Sequence, residues 1–384
     1  MKSLIAIRFM TFLILTNNLD TPSLEEVMEY ISTIVNPKSD IKDIKVWAGT
    51  ATWNHVLKPS VAKYLFEDVN MVENIAPKGN MNRPGDVHEK LYICVHDTGD
   101  FTFNAQQWSQ AVYNAKIGSS VYNISYQYIV GNDGYYHNIP DNETAKHAGD
   151  GDGTKSENWF EKYATNLYGI NEKPHVGISN DGYFTFDGVR SNISAPRNSE
   201  GQILTEDHIN DLGIFTARIY GRYYIGKTWY SPTYDKIANK GGNSNSIGIE
   251  SCVNKGSDIY LTMQRLAKLV AKLMDENNLG FDRVVQHHYF SGKDCPQTMR
   301  TEGYWEHFLD LVKAEYQMLL YKKMGFKFEF NSYNTDYVDQ LGRVINRDKT
   351  TVIDAHYLIR VIDADGKSLE KEFSTTIPSE EVLE

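Results

Sequence analysis

Cysteine is scarce in this chain: Cys94, Cys252 and Cys295 are the only three in 384 residues. A small odd count argues against a disulfide framework. Cys94 and Cys252 fall in apolar, strand-like runs and are expected as buried free thiols, with a bridge between them the lesser alternative. Cationic charge is also short. Lys and Arg number 39 against 50 Asp and Glu, a net charge of -11. No basic excess exists to neutralise phosphates, which argues against nucleic acid as a partner. No apolar run is long enough to be an integral membrane segment. The N-terminal stretch Met1–Leu15 is apolar, but Arg8 interrupts it and no small-residue cleavage site follows Thr16. An ordinary buried strand or helix is expected there rather than a cleaved signal. Internal repeats and low-complexity tracts are missing as well.

What is present is the composition of a folded protein, 41% hydrophobic and 23% charged, in a chain long enough for more than one domain. Its 25 tyrosines suit strands and polar, sugar-like ligands. Ser23-Leu24-Glu25-Glu26 is a capping box that opens a helix to about Val35, where Asn36-Pro37 ends it. The turn-rich Pro77–Gly85 predicts a boundary, leaving 1–84 as an N-terminal extension without a chemical motif. Lys90–Gly99 reads as a buried strand running into a loop, followed by a helix carrying Trp108, Ala111 and Val112. A hairpin turns at Gly131-Asn132-Asp133-Gly134. Residues from about 154 to 240 interrupt the pattern, with a second hairpin around Asn180-Asp181-Gly182 and a helix from Thr205 to about Tyr220. Ser246–Val253 is a strand. Asp258 to Asn278 is an amphipathic helix with Leu261, Leu266, Leu269, Val270, Leu273 and Met274 on its apolar stripe. A last helix runs from about Tyr304 to Lys323. The expected fold class is α/β, a mixed central β-sheet flanked by helices over 85–325. The β-type runs after Gly325 predict a small β-rich C-terminal module over 326–384.

Chemistry concentrates in Val285-Gln286-His287-His288-Tyr289-Phe290-Ser291-Gly292-Lys293-Asp294-Cys295-Pro296. Imidazole and thiolate are zinc's preferred nitrogen and sulfur donors. His287 and Cys295 lie eight positions apart, with Gly292 placed to let the loop fold back. A structural zinc site would want a fourth protein ligand and no nearby cation, whereas Lys293 stands two residues before the thiol. A catalytic site wants three protein ligands, an open position and a charged helper. His96, at the end of a strand, is the candidate third ligand. His288 competes with His287, and Asp294 with Cys295.

Five pieces occur in one order: Val95-His96-Asp97-Thr98, Ser125-Tyr126-Gln127-Tyr128, Ile139-Pro140 with His147-Ala148-Gly149-Asp150-Gly151, Ser246-Ile247-Gly248-Ile249-Glu250, and His287 through Ser291-Gly292-Lys293-Asp294-Cys295-Pro296. In them the chain resembles the type 2 N-acetylmuramoyl-L-alanine amidases, zinc enzymes whose fold is shared by peptidoglycan-recognition proteins. The resemblance covers about 90–150 and 245–300. It implies a zinc cleft with His96, His287 and Cys295 as ligands. It implies Glu250 as the acid/base group, Lys293 as the oxyanion donor and Tyr126 as a group that orients water in some members. It also implies His147 and Thr98 as substrate contacts. The implied reaction is hydrolysis of the amide between the lactyl group of N-acetylmuramic acid and L-alanine, with peptidoglycan as partner and a secreted, cell-wall or phage-released location. Two departures stand out. Gln127 replaces a histidine found in many members, at a position that is not a ligand, and the 154–240 segment is longer than a typical member needs.

Overall fold

The computed structural model describes residues 21–35, 41–49, 51–149, 175–195, 197, 200–203, 215–219, 222–226, 241–291 and 293–383. In chain order, α1 (Leu24–Ile34) leads into the hairpin β1 (Lys42–Ala48) and β2 (Ala51–Leu57), then β3 (Met71–Glu73), β4 (Tyr92–Asp97) and α2 (Ala105–Tyr113). A second hairpin is β5 (Tyr128–Gly131) with β6 (Gly134–His137). The interrupting region contributes β7 (Val176–Ile178), β8 (Tyr183–Phe186) and β9 (Val189–Ser194) as one small sheet. It also contributes the pair β10 (Phe215–Ile219) and β11 (Arg222–Gly226). Then come α3 (Gly242–Asn245), β12 (Ser246–Ser251), α4 (Ile259–Glu276), β13 (Val284–Gln286), α5 (His287–Ser291), α6 (Gln297–Thr301) and α7 (Trp305–Lys323). The chain closes with β14 (Lys327–Ser332), β15 (Ile353–Ile362) and β16 (Ser368–Ile377).

The central sheet has six strands in the order β13-β4-β12-β5-β6-β3. Four of them, β13, β4, β12 and β5, run parallel, while β6 returns antiparallel to β5 and pairs parallel with β3. It is the mixed sheet that the order of elements predicts. Strand alternation sorts its two faces. Ile93, Val95, Ile247 and Ile249 point into a core built with α4, α7 and the β1–β2 hairpin. Cys94 and His96 on β4, with Gly248 and Glu250 on β12, occupy the alternate positions and share the opposite face. Those pairs are direct cross-strand neighbours, Gly248 beside Cys94 and Glu250 beside His96.

Several expectations for the flanking regions meet a different arrangement. The strand β3, which precedes Pro77–Gly85, is part of the central sheet. The expected boundary therefore falls between two strands of one sheet. Residues 215–219 of the expected Thr205–Tyr220 helix are strand β10. Phe215, Ala217 and Ile219 alternate with Thr216 and Arg218, a period of two that Tyr220-Gly221 then interrupts. Residues 205–214 and 220 of that helix, the N-terminal stretch 1–20, loop residues 150–153 and Gly292 lie outside the described residues. The capping box of α1 forms as expected, with Ser23 and Glu26 bonding reciprocally. The buried face of α1 packs against β15 and β16 residues such as Tyr357 and Ile377, and against Met318 of α7. Helix α1 and the C-terminal strands thus share one core.

A buried polar network ties the 77–85 stretch to the central sheet. Arg83 Nε and Nη2 donate to Glu143 at 2.7 Å each, and Nη1 donates to the Ala76 carbonyl. The Glu143 carbonyl accepts from Gln127 Nε2 at 2.9 Å, and Gln127 Oε1 accepts from Gly248 N at 2.7 Å. Gln127 therefore anchors the hairpin to the strand that carries Glu250. Arg83 holds the Glu143 carboxyl below its usual range. Its contribution to stability is present above the unfolded carboxylate value and is lost as pH falls. Removing one partner of a buried pair leaves an uncompensated charge, so Glu143→Ala should destabilise the protein by about 3 kcal/mol. Denaturant unfolding at neutral pH checks this, and a loss below about 1 kcal/mol would show the pair to be solvated.

Candidate active site

The site sits where parallel strands end, the edge at which open α/β sheets place their ligands. His96 is the penultimate residue of β4, Glu250 lies next to it on β12, and His287 follows directly after β13 on the other side. Topology alone therefore gathers three groups that are 37 or more positions apart in sequence. The chain then turns back through α5, where the His288 amide donates to the Cys295 carbonyl at 3.2 Å. Cys295 is thereby brought under His96, with its Sγ 3.7 Å from His96 Nδ1. Of the two adjacent histidines, His287 is the one whose ligand atoms join this group. The ligand atoms of His96, His287 and Cys295 all lie within 4.8 Å of one another, and all three residues are buried.

Two features that the motif did not reveal hold Cys295 in place. Asp97, one residue after His96, accepts from the Thr298 amide at 3.1 Å and so caps α6, which begins two residues beyond the thiol. The hairpin strand β1 grips the same helix. Trp47 N donates to Thr298 Oγ1 at 3.0 Å, and that hydroxyl returns a bond to the Trp47 carbonyl at 3.1 Å. Asp294 is engaged elsewhere. Its Oδ1 accepts from Arg300 Nε at 2.9 Å, and Arg300 also bonds Gln286 Oε1. A salt bridge thus engages Asp294 with Arg300, while the thiol of Cys295 is the group clustered with His96 and His287.

A second group of three, Cys94, His96 and His147, also has its ligand atoms clustered. Distances separate the two groups. With Zn–N of about 2.05 Å and Zn–S of about 2.3 Å, tetrahedral edges are roughly 3.4 Å for N···N and 3.6 Å for N···S. His96 Nδ1 to Cys295 Sγ, at 3.7 Å, matches the second value. His96 Nε2 lies 2.9 Å from His147 Nδ1 and 3.1 Å from Cys94 Sγ. Those are hydrogen-bond separations, shorter than a cation between the atoms allows. The group that includes Cys295 fits a metal ion, and the other group reads as a hydrogen-bonded flank. Both ring nitrogens of His287 are buried without a hydrogen-bond partner. Left that way they would cost free energy, and a metal ion would satisfy one of them.

Burial dominates the electrostatics. It pushes the His96 and His287 imidazoles well below their usual range, so both are neutral, as metal ligation requires. Burial also raises the Cys295 thiol and lifts the Asp97 carboxyl to about 6. The Glu250 carboxyl is pushed up to about 8 by burial and by Asp97, against the opposing pull of Lys293. The half-buried Lys293 ammonium opposes that rise, favours the Cys295 thiolate and adds to the lowering of His96 and His287. Glu250 Oε1 is 3.8 Å from His96 Nδ1, while Oε2 is buried without a partner. Tyr126 is fully enclosed, senses Glu250, and has a hydroxyl with no partner. Thr98 is tied to β12 through its amide to Ser251 O at 3.0 Å, and its hydroxyl likewise has no partner. His96, Glu250 and His287 thus lie at or just beyond the ends of parallel strands, whereas Tyr126 precedes β5 and His147 packs against Gly248 within β12. Cys94 and Cys252 are buried and free, as expected.

The family model for N-acetylmuramoyl-L-alanine amidase matches residues 87–298, more than half of the chain, and the chain belongs to that family. Among curated relatives, the N-acetylmuramoyl-L-alanine amidase CwlA of Bacillus subtilis (strain 168) is 39% identical over 83 residues, 21% of this chain and 30% of the relative. The amidase XlyA of the same organism is 23% identical over 231 residues, 60% of this chain and 48% of the relative. The chain therefore spans less than half the length of these relatives. Among solved structures, the catalytic domain of XlyA aligns at 22% identity with a TM-score of 0.37, covering 64% of this chain and 99% of that one. PlyL aligns at 17% identity with a TM-score of 0.36, covering 64% and 97%.

Proposed function

We propose that the chain is a zinc-dependent N-acetylmuramoyl-L-alanine amidase. On this reading it cleaves the amide between the lactyl group of N-acetylmuramic acid and L-alanine in peptidoglycan. The observation that carries the reading is the convergence of His96, His287 and Cys295, with Glu250 beside them, in a chain of this family. These three residues would hold zinc, leaving one coordination position open. When bound, zinc supplies Lewis acidity, polarising a carbonyl and acidifying water.

The residues around it divide the remaining work. Glu250 Oε2 takes a proton from the attacking water and returns it to the alanine nitrogen as the carbon–nitrogen bond breaks. Lys293 Nζ donates to the developing oxyanion, a contact worth about 3 kcal/mol in comparable sites. Tyr126 helps orient the water, and Thr98 and His147 contact substrate. The products are a muramic lactyl carboxylate and a stem peptide with a free N-terminus. Such a substrate places the enzyme in the cell wall, after secretion or phage-mediated release. Among the described residues no helix is long and apolar enough to cross a membrane.

Mass spectrometry of purified peptidoglycan digested with the protein tests the proposal. Stem peptides beginning with alanine should appear, and should be lost when a chelator is present. Peptides cut at another bond, or intact muropeptides in zinc-containing buffer, would overturn it.

A further inference from the structure

His147 is expected from the family resemblance as a substrate contact, yet its ring nitrogen Nδ1 faces a residue of the candidate metal group. Its Nδ1 lies 2.9 Å from His96 Nε2, and the two rings meet edge to face with centroids 4.9 Å apart. His96 uses its other nitrogen, Nδ1, toward Cys295 and Glu250. A neutral imidazole carries one proton, so a ring that ligates through Nδ1 must carry it on Nε2 and needs an acceptor there. With its own proton on Nε2, His147 offers Nδ1 as a full acceptor, whereas the Cys94 sulfur at 3.1 Å is a weak one.

The surroundings fix the His147 ring at this spot. Its amide and that of Ala148 both donate to Asn243 Oδ1, at 2.8 and 2.7 Å. The ring lies flat against Gly248 of β12, where a Cβ would come within 2.7 Å of three ring atoms. Glycine at 248 is therefore the space that the His147 ring occupies. This gives the Ser-Ile-Gly-Ile-Glu strand two tasks, presenting Glu250 and making room for His147.

We propose that His147 is a positioning residue for the metal centre. It accepts the Nε2 proton of His96, fixes that ring's tautomer and so directs Nδ1 toward the metal. This inference rests on the reading of His96, His287 and Cys295 as zinc ligands. Loss of such an outer partner typically weakens metal affinity by about 10–100-fold.

The test is zinc affinity, measured by competition with a chromophoric chelator on the full chain, with no substrate present. His147→Ala should weaken binding by about 10–100-fold. His147→Asn, whose side-chain oxygen can take the place of Nδ1 as acceptor, should restore most of it. In long-range nitrogen–proton spectra of 15N-histidine-labelled protein, His96 should carry its proton on Nε2 in the wild type and lose that preference in His147→Ala. Gly248→Ala, which displaces the ring without removing it, should weaken zinc binding in the same direction. Zinc affinity within about twofold of wild type in His147→Ala would overturn the inference and leave His147 as a substrate contact alone. If instead wild type and Cys295→Ala bind zinc equally, the underlying assignment of the ligands has failed, and the inference falls with it.

Discussion

Glutamine in place of Glu250 is expected to lower hydrolysis of the lactyl–alanine amide by roughly 10²–10⁴-fold, the usual contribution of a positioned acid/base group. Zinc affinity should stay close to that of the wild type. The argument begins with register. Glu250 pairs directly with His96 across two parallel strands, so the register sets its Cα beside that of the candidate ligand. One oxygen lies 3.8 Å from His96 Nδ1 and the other is buried with no partner, so it has a hydrogen bond to offer. Glutamine keeps the shape and the hydrogen-bonding capacity but cannot accept a proton. Burial raises the carboxyl to about 8 in the protein alone, with Lys293 pulling against it, and a bound dication would pull it further down toward the ionised form that a base needs. Tyr126→Phe in the same assay decides the division of labour, because the Tyr126 hydroxyl is also buried without a partner and its ring is under the influence of Glu250. A greater loss at Tyr126 than at Glu250, with zinc still bound, would move the proton transfer to the tyrosine.

Much of this site was legible in the sequence because its residues belong to short motifs. Three of the five segments bring His96, Glu250 and His287 to the ends of neighbouring parallel strands, while segment 125–128 leads into β5 and the His147 loop packs against Gly248 within β12. Their order along the chain, together with the resemblance, was enough to name His96, Glu250, His287 and Cys295. The supporting residues were not legible, because what they do depends on partners far away in sequence. Asp97 reads as part of a motif, yet its visible work is to cap α6 more than 190 positions later, through the amide of Thr298. Trp47 lies in a segment with no motif at all and grips the same helix. Gln127 looked like a lost histidine and proves to be a two-way bridge between the Glu143 carbonyl and the Gly248 amide. The amphipathic stripe of α4 was clear from its period, but Gln264 and Lys268 on the same helix are buried too. Lys268 is held by Glu315 of α7 at 2.8 Å, and Glu315 also accepts from the Leu65 amide. No periodicity announces a buried ion pair. The expected helix after Thr205 failed for the opposite reason. A short apolar run fits either period, and strand pairing with β11 decides for residues 215–219.

Cys295→Ala carries the largest expected effect: lytic activity at background, and zinc affinity reduced beyond the roughly 10–100-fold that loss of an outer partner produces. The thiolate is the one anionic ligand of the proposed set. Without it, two neutral imidazoles would have to hold a dication inside a site whose groups are almost wholly enclosed, and the desolvation of that charge would go uncompensated. Alanine at 295 should leave the fold in place, because the turn that presents the thiol rests on other contacts. Those are Asp97 to Thr298, Asp294 to Arg300 and the His288 amide to the 295 carbonyl. Zinc content after dialysis, competition titration and hydrolysis, measured beside the thermal unfolding of the metal-free protein, separate lost ligation from lost structure. Cys94→Ala is the decisive companion. Cys94 sits on the same strand face, 3.1 Å from the other nitrogen of His96, in the group whose spacing matches hydrogen bonds rather than ligation. It should keep its zinc and most of its activity. If Cys94→Ala loses the metal while Cys295→Ala retains it, the ion sits on the Cys94–His96–His147 side of the ring. Lys293 and Glu250 would then flank the wrong nitrogen for the chemistry assigned to them.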